Sequence, residues 1–201
     1  GPIVDLNAVP AFRYNHLWDK KNEKRESGDF KILLGLPISL SESLHILHMV
    51  NSIIDKLHIE DLCIWVKVHP SIEKSKIIGL LSDSLSSKFQ FIDYEAPKAL
   101  KSSNLMISAL SSLCLESLAV NVPVLIVNNI KKITPNPIPK KIKQEIWRMC
   151  NNQEDLLDGI QYFNKIDLEE KKRFLKISEE IRKNYFKPVN KKDARIFLGL
   201  K

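Results

Sequence analysis

A chain of 201 residues, 44% hydrophobic and 27% charged, can bury a substantial core. No apolar run approaches the ~18 residues of a membrane span, and Cys63, Cys114 and Cys150 suit neither a zinc site nor a disulfide framework, which points to a reducing cytoplasm. The net charge of +7 is uneven: residues 131–201 hold 18 Lys/Arg against 10 Asp/Glu, and residues 1–130 hold 13 against 14. A basic C-terminal third is explained either by solvated helix faces or by attraction to phosphorylated substrates or an anionic membrane surface. Nucleic acid is not expected, since no zinc-finger or RNP-type motif is present.

Residues 1–29 read as an irregular lead-in, with Gly1-Pro2 as a tag remnant and Lys20 to Asp29 as a charged linker. Phe12, Tyr14, Leu17 and Trp18 could pack on the body of the protein. Lys31 to Leu36 reads as a short buried strand. Ser39 and Glu42 form a capping-box pattern that opens a helix running to about Leu57, and Leu44, Leu47, Val50, Ile54 and Leu57 fall at the spacing of one buried face. Leu62 to Val68 is almost continuously apolar, as expected of a parallel strand covered on both sides. A helix over 71–85, a strand over Lys88–Ile92 and a short helix over Ala96–Lys101 follow.

The next stretch organises the chain. Asn104 to Ser108 is strand-like, Ser111-Ser112 form a turn, a helical run ends near Asn121, and Pro123 to Val127 is again strand-like. Strands alternating with helices at this interval make an α/β protein with a doubly wound parallel sheet, covering residues 30–130. Beyond it, Thr134 to Pro139 breaks regular structure. Lys140–Met149, Gln153–Phe163, Leu168–Tyr185 and Lys191–Leu198 then read as helices of a C-terminal extension over 131–201.

Ligands of such sheets bind beyond the carboxyl ends of the strands, and His69, Asp93-Tyr94 and Ser111-Ser112 all fall at such ends. A helix start offers unpaired N–H groups and partial positive charge, which suits a phosphate. Glu116, one turn past Ser112, could accept hydrogen bonds from sugar hydroxyls. Each feature has a plainer account as well: His69-Pro70 as a strand terminator, Ser111-Ser112 as a helix cap, Glu116 as an ordinary helical acid. Their convergence supports a nucleotide-sugar site. His16, His45, His48 and His58 gain no such support and read as structural or surface residues, and no His/Asp/Glu cluster has metal spacing. With no glycine-rich phosphate loop and no G-x-S-x-G elbow, an NTPase, a dehydrogenase and a classical hydrolase are disfavoured.

Trp65-Val-Lys67-Val-His69-Pro70, Phe91-Ile92-Asp93-Tyr94, Asn104 to Ser108, Ser111 to Ala119 and Val122-Pro123-Val124 resemble, in order and spacing, the C-terminal half of GT-B glycosyltransferases. The likeness is to bacterial surface-polysaccharide enzymes, including capsule Kdo- and sialyl-transferases and teichoic-acid polymerases. It covers roughly residues 30–130, and Asn184-Tyr185-Phe186 with Pro188 resembles their tail. The resemblance implies a Rossmann-like domain binding a CMP- or UDP-linked sugar. His69, Pro70, Ser111 and Ser112 would hold its phosphate, Glu116 its ribose, and Tyr94 the edge of the base pocket. His69 would stabilise charge on the departing nucleotide. It also implies no cofactor or metal, and a separate N-terminal acceptor domain that this chain lacks, so the chain alone would be an incomplete enzyme. Peripheral contact with the inner membrane face through the basic helices is a further expectation. The alternatives are a non-catalytic α/β interaction module, or a polyol-phosphate transferase or nucleotide-sugar epimerase domain on the same scaffold.

Overall fold

The computed structural model describes residues 11–18, 28–82, 85, 87–129 and 136–199. The tag remnant at Gly1-Pro2 and most of the Lys20–Asp29 linker lie outside the described residues, as does the start of the proline-rich break at Thr134. Six strands form one parallel sheet in the order β3-β2-β1-β4-β5-β6: β1 Phe30–Gly35, β2 Leu62–Lys67, β3 Gln90–Phe91, β4 Leu105–Ser108, β5 Val124–Val127 and β6 Trp147–Cys150. The chain moves outward from β1 through β2 to β3, then returns to the other side of β1 for β4. That reversal makes the carboxyl edge between β1 and β4 the place where sheets of this kind take a ligand.

The central strands are apolar because both faces are covered. Ile32, Leu33, Leu34, Leu105, Met106, Ile107 and Val124 to Ile126 are fully buried. Register keeps the carboxyl edge level, since Gly35 pairs with Lys67 on one side and with Ser108 on the other. Ser108 Oγ donates to the Gly35 carbonyl at 2.5 Å, tying β4 to β1 where the strand order reverses.

The helices are α1 Leu40–Ile54, α2 Lys74–Ile78, α3 Ala96–Lys101, α4 Leu113–Ala119, α5 Gln153–Asn164, α6 Leu168–Tyr185 and α7 Lys191–Phe197. The lead-in forms a 3₁₀ helix over Phe12–Trp18. It packs as its apolar residues suggest: Leu17 is buried, Tyr14 meets Phe186 edge-on at 4.9 Å, and Phe12 meets Phe197 at 5.0 Å.

Three readings of local structure are corrected. Lys140–Met149 is not a helix but a run of turns leading into β6, so the sheet takes its sixth strand from beyond residue 130. Ile142 and Ile146 have helical spacing, yet both are buried in the turns, and Trp147–Cys150 becomes a strand by pairing with β5. Of the helix expected over 71–85, Lys74–Ile78 is helical and residues 79–82 are not, while residues 83 and 84 lie outside the described residues; the strand over Lys88–Ile92 shrinks to Gln90–Phe91. The buried face of α1 is Ser43, Ile46, Leu47, Met49, Val50 and Ile53, so Leu47 and Val50 were placed correctly whereas Leu44 and Ile54 lie at its margin. Ser43 reaches the inside because its hydroxyl donates to the Pro37 carbonyl at 3.0 Å.

Candidate functional site

His69 stands two residues beyond the end of β2, half-buried at the carboxyl edge. The backbone N–H of Ser71 donates to its Nδ1 at 3.1 Å, and the Ile72 N–H donates to the His69 carbonyl at 2.9 Å, closing the turn that Pro70 begins. A nitrogen that accepts cannot also carry a proton, so the neutral ring keeps its hydrogen on Nε2. The turn thereby presents His69 as a donor. An anion is the natural acceptor for such a group.

The Tyr94 backbone and ring are held from three sides. Lys67 Nζ donates to its carbonyl at 2.6 Å, the Trp65 ring meets its ring edge-on at 5.6 Å, and the Lys98 ammonium lies 4.5 Å from the ring centre. Its side chain is still exposed, and Asp93 beside it pairs with Lys74 at 3.1 Å. Such an aromatic on a fixed loop is a suitable wall for a planar ring.

The Ser111-Ser112 turn divides its hydroxyls between two tasks. Ser111 Oγ accepts from the Leu113 N–H at 3.2 Å and caps the first turn of α4, whereas Ser112 makes no side-chain cap and is exposed. Because α4 has seven residues, its dipole is small. Any hold on an anion at this point rests on hydroxyls and on donors from neighbouring loops. The loops after β2 and β4 flank that after β1, so two strand spacings, roughly 10 Å, separate their roots.

Glu116 is less open than the sequence suggested. Its side chain is 13% exposed, and the lead-in helix covers it: His16 Nε2 lies 3.7 Å from Glu116 Oε2. Burial pushes the Glu116 carboxyl above the usual carboxylate range, and the nearby Arg13 guanidinium draws it partly back. Arg13 itself bonds the Tyr14 hydroxyl. The structure thus brings His69, Pro70, Tyr94, Ser111 and Ser112 to one edge of the sheet, and it places Glu116 under the lead-in.

Nothing in the sequence signals where His16 sits, since it has no local motif and acquires its position beside Glu116 only through packing across 100 positions of chain. Nor does the sequence signal what surrounds His45 and His48. With Met49 and Asn151 to Glu154 they line an open depression of about 630 Å³ between α1 and the start of α5. Among the described residues no group of three or more His, Cys, Asp or Glu is placed to hold a metal ion.

No family model matches this sequence, and no curated protein does. Solved structures do match. The catalytic domain of cholesterol-α-glucosyltransferase from Helicobacter pylori aligns over 77% of this chain and 99% of its own, at 20% identity and a TM-score of 0.51. The C-terminal domain of the group 1 glycosyl transferase LpcC from Francisella tularensis aligns over 88% and 94%, at 13% identity and a TM-score of 0.53. The wall teichoic acid polymerase TagF aligns over 96% of this chain at 9% identity and a TM-score of 0.59, and the chain spans half of the TagF chain. At these identities the likeness is one of fold. The six-stranded parallel sheet with its C-terminal helices is the C-terminal GT-B architecture that the sequence resembled.

Proposed function

We propose that this chain is the donor-binding domain of a glycosyltransferase, which takes a CMP- or UDP-linked sugar and works with a separate acceptor-binding domain in surface-polysaccharide synthesis. The observation that carries this reading is the level carboxyl edge, where His69, Tyr94 and Ser111-Ser112 stand on loops either side of the β1/β4 switch in strand order. The nucleotide phosphate lies against the Ser111-Ser112 turn and within reach of the His69 Nε2–H. The base stacks near Tyr94, and the ribose hydroxyls reach Glu116. As the glycosidic bond breaks, negative charge grows on the departing phosphate. A donor already oriented by Ser71 stabilises that charge without reorganising.

In this reading residues 1–201 bind the nucleotide by themselves, and sugar transfer takes place in a cleft shared with the acceptor-binding domain. Calorimetric titration with CMP, CDP and UDP tests this directly. Saturable binding to one of them is expected. Failure of all three at millimolar concentration would leave a non-catalytic α/β interaction module as the better account. The likeness to a wall teichoic acid polymerase favours polyol-phosphate transfer as the second reading, which preferential binding of CDP would support.

A further inference from the structure

The lead-in helix meets Glu116 through a contact that competes with the nucleotide binding proposed above. His16 Nδ1 donates its hydrogen to the Arg13 carbonyl at 2.9 Å, so the neutral ring has a bare lone pair on Nε2. That atom is buried, has no hydrogen-bond partner among the described residues, and faces Glu116 Oε2 at 3.7 Å. Two acceptors in that position repel unless one of them gains a proton. The other charged group facing the pair is Arg13, on the same turn as His16 and bonded to the Tyr14 hydroxyl.

The rest of the lead-in helix is held by apolar contact. Leu17 is buried and Phe12 and Tyr14 stack on the C-terminal segment, yet the Trp18 indole nitrogen is a second buried ring nitrogen, here a donor, with no partner among the described residues. A segment that packs well but leaves two ring nitrogens unsatisfied is only moderately held. A ribose hydroxyl differs from His16 in a decisive respect, since it donates to a carboxylate with no added proton. Glu116 cannot serve both at once while its side chain is 13% exposed beneath His16.

We propose that His16 belongs to the donor site as the residue that holds Glu116, through one added proton shared between them, while no nucleotide is bound, and that the ribose takes Glu116 from it, returning that proton to solvent and releasing the lead-in helix. This rests on the nucleotide-binding reading above. Ligand binding and lead-in docking are then two competing uses of one carboxylate. The apparent affinity for nucleotide is lowered by the fraction of time that the lead-in is closed.

Hydrogen–deuterium exchange of residues 12–18, read beside calorimetry with CMP and UDP on the whole chain, tests the proposal. Without ligand, Glu116→Ala should raise exchange in residues 12–18. Glu116→Gln should keep it low, because the amide N–H can donate to the His16 lone pair. Saturating nucleotide should raise exchange in the same residues, and His16→Ala should tighten nucleotide binding roughly threefold or more. The proposal is overturned if Glu116→Ala leaves exchange unchanged, if nucleotide protects residues 12–18, or if His16→Ala weakens binding. Should no nucleotide bind to the wild-type chain or to any variant, the donor reading fails. The ligand-free comparison of the two Glu116 variants still decides whether the carboxylate holds the lead-in.

Discussion

The imidazole of His69 meets its ligand with the proton position already settled, because the Ser71 N–H occupies Nδ1. Removing the ring deletes a donor to a charged group. Such bonds contribute about 1.5–3 kcal/mol, so His69→Ala should weaken CMP or UDP binding about tenfold or more in calorimetry, with the circular-dichroism spectrum unchanged. Ser112→Ala should act in the same direction and more weakly, since its hydroxyl caps nothing in the fold. The thiols behave differently. Burial pushes Cys114 and Cys150 up to about 12 from an ordinary 9.0. In the unfolded chain both ionise near the ordinary value, so the folded state binds more protons between these limits and loses stability as pH rises through that window. The expected slope is about 1.4 kcal/mol per pH unit for each thiol, measurable by urea denaturation at pH 8 and pH 10. Below pH 8 the two thiols should contribute no slope.

At the scale of single elements, packing and capping make separable contributions. Gly159 of α5 lies against β5 so closely that an added Cβ would stand 2.7 Å from Leu125 Cδ2. Gly159→Ala should therefore destabilise, by about 1–3 kcal/mol, although alanine is the better helix former. Asp167 caps α6 in a reciprocal box with Glu170, and Asp167→Ala should cost about 1 kcal/mol in the same denaturation measurement. Signals of this local kind were legible in the sequence. Ser39 with Glu42 opened α1 where expected, and the apolar runs at 105–108 and 124–127 gave β4 and β5 within a residue. Elements that need a distant partner were not legible. Trp147–Cys150 is a strand only beside β5, and the isoleucine spacing before it imitates a helix. The candidate site divides the same way. The place of His69 and Ser111-Ser112 at the carboxyl edge was legible because strand ends can be read from the chain, whereas the cover over Glu116 arises from a residue 100 positions earlier.

Across the whole molecule, charge and architecture are segregated. The sheet edge that carries the candidate site is assembled before residue 130, and the surplus of positive charge follows it in the chain. On α6, Lys171 and Lys176 are exposed beside Leu168 and Leu175, and next to them Lys172 and Arg173 are exposed and paired with Glu169 and Glu170. Such a face suits the expected attraction to an anionic bilayer, and no described helix is long and apolar enough to cross one. Co-sedimentation with vesicles containing anionic lipid should show binding at low ionic strength that declines as salt is added, since exposed charges are screened over about 10 Å at 0.1 M. Neutral vesicles should recover little protein.

The late arrival of β6 has a practical consequence for anyone trimming this protein. All four residues of β5 are buried, and one of its two hydrogen-bonding edges is satisfied only by Trp147–Cys150. A polypeptide stopped at residue 130 would bare Val124-Leu-Ile-Val127 as an unprotected apolar ribbon, the kind of edge that recruits neighbouring chains. That truncation should elute as soluble aggregate on size exclusion. One extended to Asn164, with both the strand and α5 restored, should remain monodisperse longer.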